Sequence, residues 1–243
     1  MKSSEERKKA TDTLLFAPEL RDNPQLPEQE SQHCIKVMRM KEGDRIDVTD
    51  GKGYVYECVI VQPHPKKCIV AILSEIHRPK SWHFNLQVAF APTKSNDRTE
   101  WFVEKATEIG IDRFTPISCR YSERKELKTD RLQRVAVSAM KQSQQALLPI
   151  TDGMTAFEKF IEQPFDGRKF IAHCHRGEKE SLSNLYERGE NALIIIGPEG
   201  DFSEEEVQHA IEKGFEPVTL GENRLRTETA SLVACHTFHV LNA

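Results

Sequence analysis

Two stretches near the carboxyl end combine residue types that do chemistry when held against a ligand. The first is Ile196-Gly197-Pro198-Glu199-Gly200-Asp201-Phe202-Ser203. Its glycines bracket a stiff Pro-Glu pair. Glycine allows close backbone approach and positive φ, whereas proline fixes its own φ and restricts the residue before it. Such a loop presents amides and carbonyls to a ligand, and it serves equally as an ordinary strand-to-helix turn. The second is Thr219-Leu220-Gly221-Glu222-Asn223-Arg224-Leu225-Arg226-Thr227-Glu228-Thr229-Ala230. A polar cluster of this kind beside a helix start favours an anionic group, a carboxylate or a phosphate. Capping and the helix dipole account for Glu228 and the threonines but leave Arg224 and Arg226 unexplained.

Other chemical signatures fail. Gly51 and Gly53 do not begin a G-x-G-x-x-G run, because position 56 is Tyr, and no G-x-x-x-x-G-K-[ST] or G-x-S-x-G occurs. His173-Cys174-His175 invites a metal, yet adjacent strand residues face opposite ways and no CxxC or HxxxH supplies further ligands. No metal is expected.

Both loops need a sheet to carry them. After residue 80, strand-like runs (84–90, 114–118, 169–172, 193–196, 217–220) alternate with helical patterns, which implies a parallel sheet with helices on both faces. Capping boxes are expected at Asp97–Glu100 and Ser203–Glu206, and Thr155 with Glu158 to cap a short helix. Val207, Ala210 and Ile211 are expected inward on one helix, and Ala230, Val233, Ala234 and Phe238 on the last. Before residue 80, alternating runs at 45–49, 54–60 and 68–72 flank Asp50-Gly51-Lys52-Gly53, a hairpin signal. Residues 13–78 therefore read as a small antiparallel barrel or sandwich, 79–243 as a second domain, and 1–12 as a disordered extension.

The 243 residues carry a net charge of -4, and no apolar run reaches the length of a membrane span or a secretory signal. The six cysteines are scattered, as in a cytoplasmic protein with reduced thiols. Charge is uneven. From Arg113 to Lys141 eight bases face three acids, whereas from Glu190 onward ten acids face three bases. The basic stretch is a local phosphate-binding candidate or a solvated helix face laced with ion pairs.

The two loops together resemble the SPOUT methyltransferases, and within them the ribosomal small subunit methyltransferase E family. His33-Cys34-Ile35-Lys36 through Asp44 is similar to that family's opening barrel segment, Lys94 through Ile111 to its first sheet-to-helix segment, and Tyr121 through Ser143 to its central basic stretch. Many members have Gly where this chain has Asp201 and Ser231. The resemblance implies a PUA-like barrel followed by an α/β domain with a C-terminal trefoil knot, a homodimer, and S-adenosylmethionine-dependent methylation of uridine N3 in 16S rRNA. A related enzyme acting on tRNA ribose or guanine, and a non-catalytic RNA-binding module, are the competing readings.

The implied cofactor residues are His173, Gly197, Pro198, Glu199, Gly200, Leu220, Gly221, Leu225, Thr229 and Ala230. Arg226 is the candidate cation for the developing imide anion, and Glu228 either accepts the N3 proton or orients that arginine. Lys36, Arg39 and Lys41 in the barrel, with Arg120, Arg124 and Lys125 in the central stretch, are the candidate rRNA contacts. Tyr54, Tyr56 and Trp82 are assigned to packing rather than base stacking.

Overall fold

A computed structural model describes residues 13–243; the extension expected at 1–12 lies outside them. The chain forms two compact units, residues 13–81 with Met140–Leu148, and Trp82–Ala139 with Pro149–Ala243.

The N-terminal unit contains β1 (Leu14–Phe16), α1 (Glu28–Gln32), a π-helical turn (His33–Val37), β2 (Arg45–Thr49), β3 (Tyr54–Gln62) and β4 (Ile69–His77). Its sheet runs β1-β2-β3-β4. β2, β3 and β4 pair antiparallel, as their alternation predicts, but β1 joins β2 in parallel. Three residues are too few to show a period. The Asp50–Gly53 hairpin forms, with Asp50 Oδ1 accepting the amides of Lys52 and Tyr54 at 2.7 and 3.2 Å. Ile46, Val48, Tyr56, Cys58, Ile60 and Val70 fill its core. Tyr56 is therefore a core residue.

Residues 140–148 correct the division drawn at residue 78. They pack with the N-terminal unit because Thr49 Oγ1 and the Gly53 amide both donate to the Ala146 carbonyl, and the Leu148 amide donates to Gly51. Lys141 also holds Glu30 at 2.6 Å. These partners are about a hundred residues apart, beyond the reach of local patterning.

The C-terminal unit contains β5 (Leu86–Phe90), α2 (Asn96–Ile109), β6 (Arg113–Ser118), α3 (Thr129–Gln142, whose last turn belongs to the first unit), β7 (Ile150–Thr151), β8 (Thr155–Ala156), α4 (Phe157–Ile161), β9 (Arg168–Ala172), β10 (Glu180–Ser181), α5 (Leu182–Leu185), β11 (Ala192–Ile196), α6 (Glu204–Glu212), β12 (Glu216–Thr219) and α7 (Thr227–Asn242). The sheet runs β10-β12-β9-β11-β5-β6-β7, with β8 beside β6, and its pairings are parallel. β11 is wholly buried between β9 and β5, which explains its unbroken apolar run. Pro116 sits inside β6, since β7 and β8 pair with Arg113–Phe114 and Ile117–Ser118 and leave a gap beside it.

Three local expectations are corrected. α2 starts after Ser95 with no side-chain cap, so no box forms at Asp97–Glu100. Thr155 lies in β8, and Ala156 precedes α4 without capping it. Ile211 faces outward at 39% exposure, because α6 buries a narrow stripe centred on Val207 and Ala210. The Ser203–Glu206 box does form.

Candidate active site

β9 lies between β11 and β12 in the sheet. The two loops leave the strands on either side of it, at their carboxyl ends, where open parallel sheets bind ligands. The end of β9, Ala172-His173-Cys174, forms the third wall.

The first loop is fastened on every side. Thr227 Oγ1, at the start of α7, donates to the Gly197 carbonyl at 3.0 Å. The Glu199 carboxylate accepts the Lys94 amide at 2.9 Å, and its carbonyl accepts Arg224 at 3.3 Å. A Cβ on Gly197 would lie 2.9 Å from the Phe202 ring, so close packing requires glycine there. Asp201 has φ +66, in the left-handed region that favours Gly and tolerates Asp. Its carboxylate accepts the amides of Cys174 and Phe202 at 2.8 and 2.9 Å, so aspartate offsets the backbone cost with two bonds a glycine lacks. Ser231 is fully buried and donates to the Thr227 carbonyl.

The second loop is looser. Gly221–Arg224 is exposed, Gly221 has φ +137, and its local tie is the Thr219 hydroxyl donating to the Gly221 carbonyl at 2.8 Å. Between the loops lie two adjoining hollows of about 400 and 280 Å³ that share Ala172, Cys174, Arg224, Leu225 and Ala230. The larger is lined by His173, Leu220 and Gly221, the smaller by Gly197, Pro198, Glu199 and Arg226. Gly200 and Thr229 line neither; a Cβ on Gly200 would press on Tyr121 at 3.0 Å, so that glycine serves packing. Lys179 and Cys174, which sequence reasoning missed, belong to the walls.

Burial, the nearby Lys179 ammonium and His175 push the His173 imidazole down to about 4, against the opposing pull of Asp201. His173 is therefore neutral at pH 7, and its buried Nδ1 has no partner. The His175 ring bonds the Phe202 carbonyl at 2.7 Å. Among the described residues no three His, Cys, Asp or Glu side chains converge as metal ligands.

Arg226 is exposed at the mouth of the smaller hollow. Glu228, in the first turn of α7, is buried; one carboxylate oxygen lies 3.7 Å from Arg98 Nε and the other has no partner. The cation beside it is Arg98 on α2 rather than Arg226, and sequence reasoning missed Arg98 for want of any local signal. Lys36, Arg39 and Lys41 are exposed in the N-terminal unit, and Arg39 adopts φ +58. In the central stretch Lys125 is exposed, while Arg120 pairs with Glu205 at 3.0 Å. Arg124 is half-buried, its guanidinium donating to the carbonyls of Thr93 and Lys94 at 3.4 and 2.8 Å. That arginine braces the segment which in turn holds Glu199. Trp82 is buried, its indole donating to Asp112 and its ring packing edge-on against His239.

Residues 80–239 match the RNA methyltransferase domain family, and residues 26–73 match an RNA methyltransferase PUA domain. The chain belongs to this RNA methyltransferase domain family. A probable rRNA-methyltransferase from Porphyromonas gingivalis is 41% identical, with a TM-score of 0.90 over 95% of this chain and 98% of that one. A ribosomal RNA small subunit methyltransferase E from Neisseria gonorrhoeae, solved bound to S-adenosyl methionine, is 26% identical, with a TM-score of 0.83 over the same shares. The Bacillus subtilis protein of that name is 26% identical over 85% of each chain. The N-terminal unit is accordingly PUA-like, and the C-terminal unit is the α/β methyltransferase domain.

Proposed function

We propose that this chain transfers the methyl group of S-adenosylmethionine to N3 of one uridine in 16S rRNA. One observation carries the reading: two loops from flanking strands, tied by Thr227 to Gly197, enclose adjoining hollows at the carboxyl edge of the sheet. The larger lies within the size range of small-molecule sites. Its lining fits such a cofactor, with apolar Leu220, Leu225 and Ala230 for a purine face and the unpartnered His173 Nδ1 for a polar group. His173, Leu220, Gly221 and Leu225 would hold the nucleoside, with Gly197, Pro198 and Glu199 closing the opposite wall.

When bound, S-adenosylmethionine supplies a sulfonium methyl already activated for displacement. The chain's own residues position the acceptor, a contribution worth roughly 7–11 kcal/mol in well-oriented systems. Arg226 stabilises the negative charge that spreads over the uracil oxygens as N3 loses its proton. Glu228 is buried beside Arg98 and lines neither hollow, so it acts through that cation at the start of α2, and the N3 proton that the methyl replaces leaves to solvent water. The order of β9, β11 and β12, with α7 bonded back to Gly197, supports a knotted path. The chain acts as a homodimer, a reading supported by the exposed apolar side chains of Trp101 on α2 and Val240 on α7. A cytoplasmic location is part of this proposal, since that is where the rRNA substrate would be met; no described helix is long and apolar enough to cross a membrane.

The test is incubation with labelled S-adenosylmethionine and small subunits from a strain lacking this modification, followed by nucleoside mass analysis. Methyl on uridine N3 is expected. Methyl on ribose or guanine, or acceptance by tRNA alone, would overturn the reading.

A further inference from the structure

A third hollow, of about 510 Å³, lies apart from the two already described. It is walled by the first turn of α2, the first two turns of α3 and the segment that leads into α3. Its walls carry Arg124, Lys128, Arg131 and Arg134 against Glu100, Glu126 and Asp130, with Asn96, Thr99, Leu127 and Leu132 between them. Arg131 and Glu100 neutralise one another at 2.6 Å, and Arg124 is occupied with backbone carbonyls. Lys128 and Arg134, both exposed, are the cations left at the rim.

A plain phosphate groove would have no use for carboxylates. A mixed lining is what a nucleotide needs. Cations meet the phosphate, carboxylate and amide groups meet donor and acceptor edges of the base, and an apolar side chain covers its face. Single-stranded RNA offers such splayed-out nucleotides.

The hollow is wired to the methyl-transfer loops through covalent neighbours. Arg124 holds the Thr93 and Lys94 carbonyls, and the Lys94 amide is bonded to Glu199 in the wall of the smaller cofactor hollow. Within one turn of α2, Asn96, Thr99 and Glu100 line the third hollow while Arg98 reaches Glu228. An RNA strand crossing this turn would touch both places.

We propose that this hollow holds one unpaired nucleotide of the RNA strand near the methylated uridine, its phosphate on Lys128 and Arg134 and its base against Leu127 and Glu126. The proposal rests on the methyltransferase reading above. It is tested with the full chain and an rRNA fragment containing the methylated position, measured by fluorescence anisotropy from 50 to 300 mM salt. The double variant Lys128→Ala/Arg134→Ala is expected to bind the fragment about tenfold more weakly at low salt, with a salt slope shallower by roughly one unit. Glu126→Gln is expected to weaken binding without changing that slope. S-adenosylmethionine affinity by calorimetry is expected to stay within twofold in both, and Lys128→Arg/Arg134→Lys to restore the slope. Unchanged RNA affinity and slope in the double variant, while the wild type methylates small subunits, would overturn this site and leave the activity intact. A wild type that methylates no small-subunit RNA would overturn the activity instead. A double variant that weakens cofactor and RNA binding alike would show structural damage and overturn the assignment.

Discussion

The two loops that frame the active site are built differently. The first, Gly197–Ser203, is clamped from four directions: by Thr227, by the Lys94 amide, by the Cys174 amide and by the capping box that opens α6. The second, Leu220–Arg226, is largely exposed and is bonded mainly through Thr219 and Arg224. One wall is rigid before any ligand arrives. The other carries the two arginines and is left adaptable, as a loop must be if it closes over what it binds. Stability and chemistry are therefore separable here, and mutation should pull them apart.

The largest effect belongs to the open loop. Arg226→Ala is expected to lower the turnover of small-subunit methylation by about 100-fold, the usual consequence of losing one preorganised charge in a site, with melting temperature and cofactor affinity nearly unchanged. A variant of normal turnover would break the contrast between the loops. Thr227→Val severs one of the bonds that join them and removes the hydroxyl partner of the buried Gly197 carbonyl. It is expected to cost about 2 kcal/mol in chemical denaturation and to weaken cofactor binding as well, the combined loss that neither loop alone should show.

Ser203→Ala removes a cap from the fastened side only, and a loss of about 1 kcal/mol with normal turnover is expected. The last test is a pH dependence. His173 titrates near 4 in the folded chain against 6.5 for the free side chain. Between those values the unfolded chain binds more protons, so stability rises with pH through that window and falls as acid is added. His173→Asn should flatten the slope of melting temperature between pH 4 and 6.5; an unaltered slope would place the titration elsewhere.

Much of this site was legible in residue order. Ser203 and Glu206 are three apart, so their capping box is local and formed as read. Gly197, Gly221 and the Arg224–Ala230 run stand where chain geometry and charge demand special residues. The boxes expected at Asp97 and Thr155 did not form, because Ser95 and Ala156 took the positions before those helices. Spacing proposes a cap, but the surrounding contacts choose the starting residue.

Periodicity and turn chemistry determined that this chain has a barrel-like start, a parallel sheet and two loops of reactive composition at its edge, since strand and helix periods are properties of neighbours in sequence. Tertiary structure alone decided that β9 stands between β11 and β12, so that the loops meet over one pair of hollows. It also decided that Glu228 faces Arg98, 130 positions earlier in the chain, and that residues 140–148 join the N-terminal unit. Such pairings depend on which distant surfaces exclude water together, and no local pattern records that.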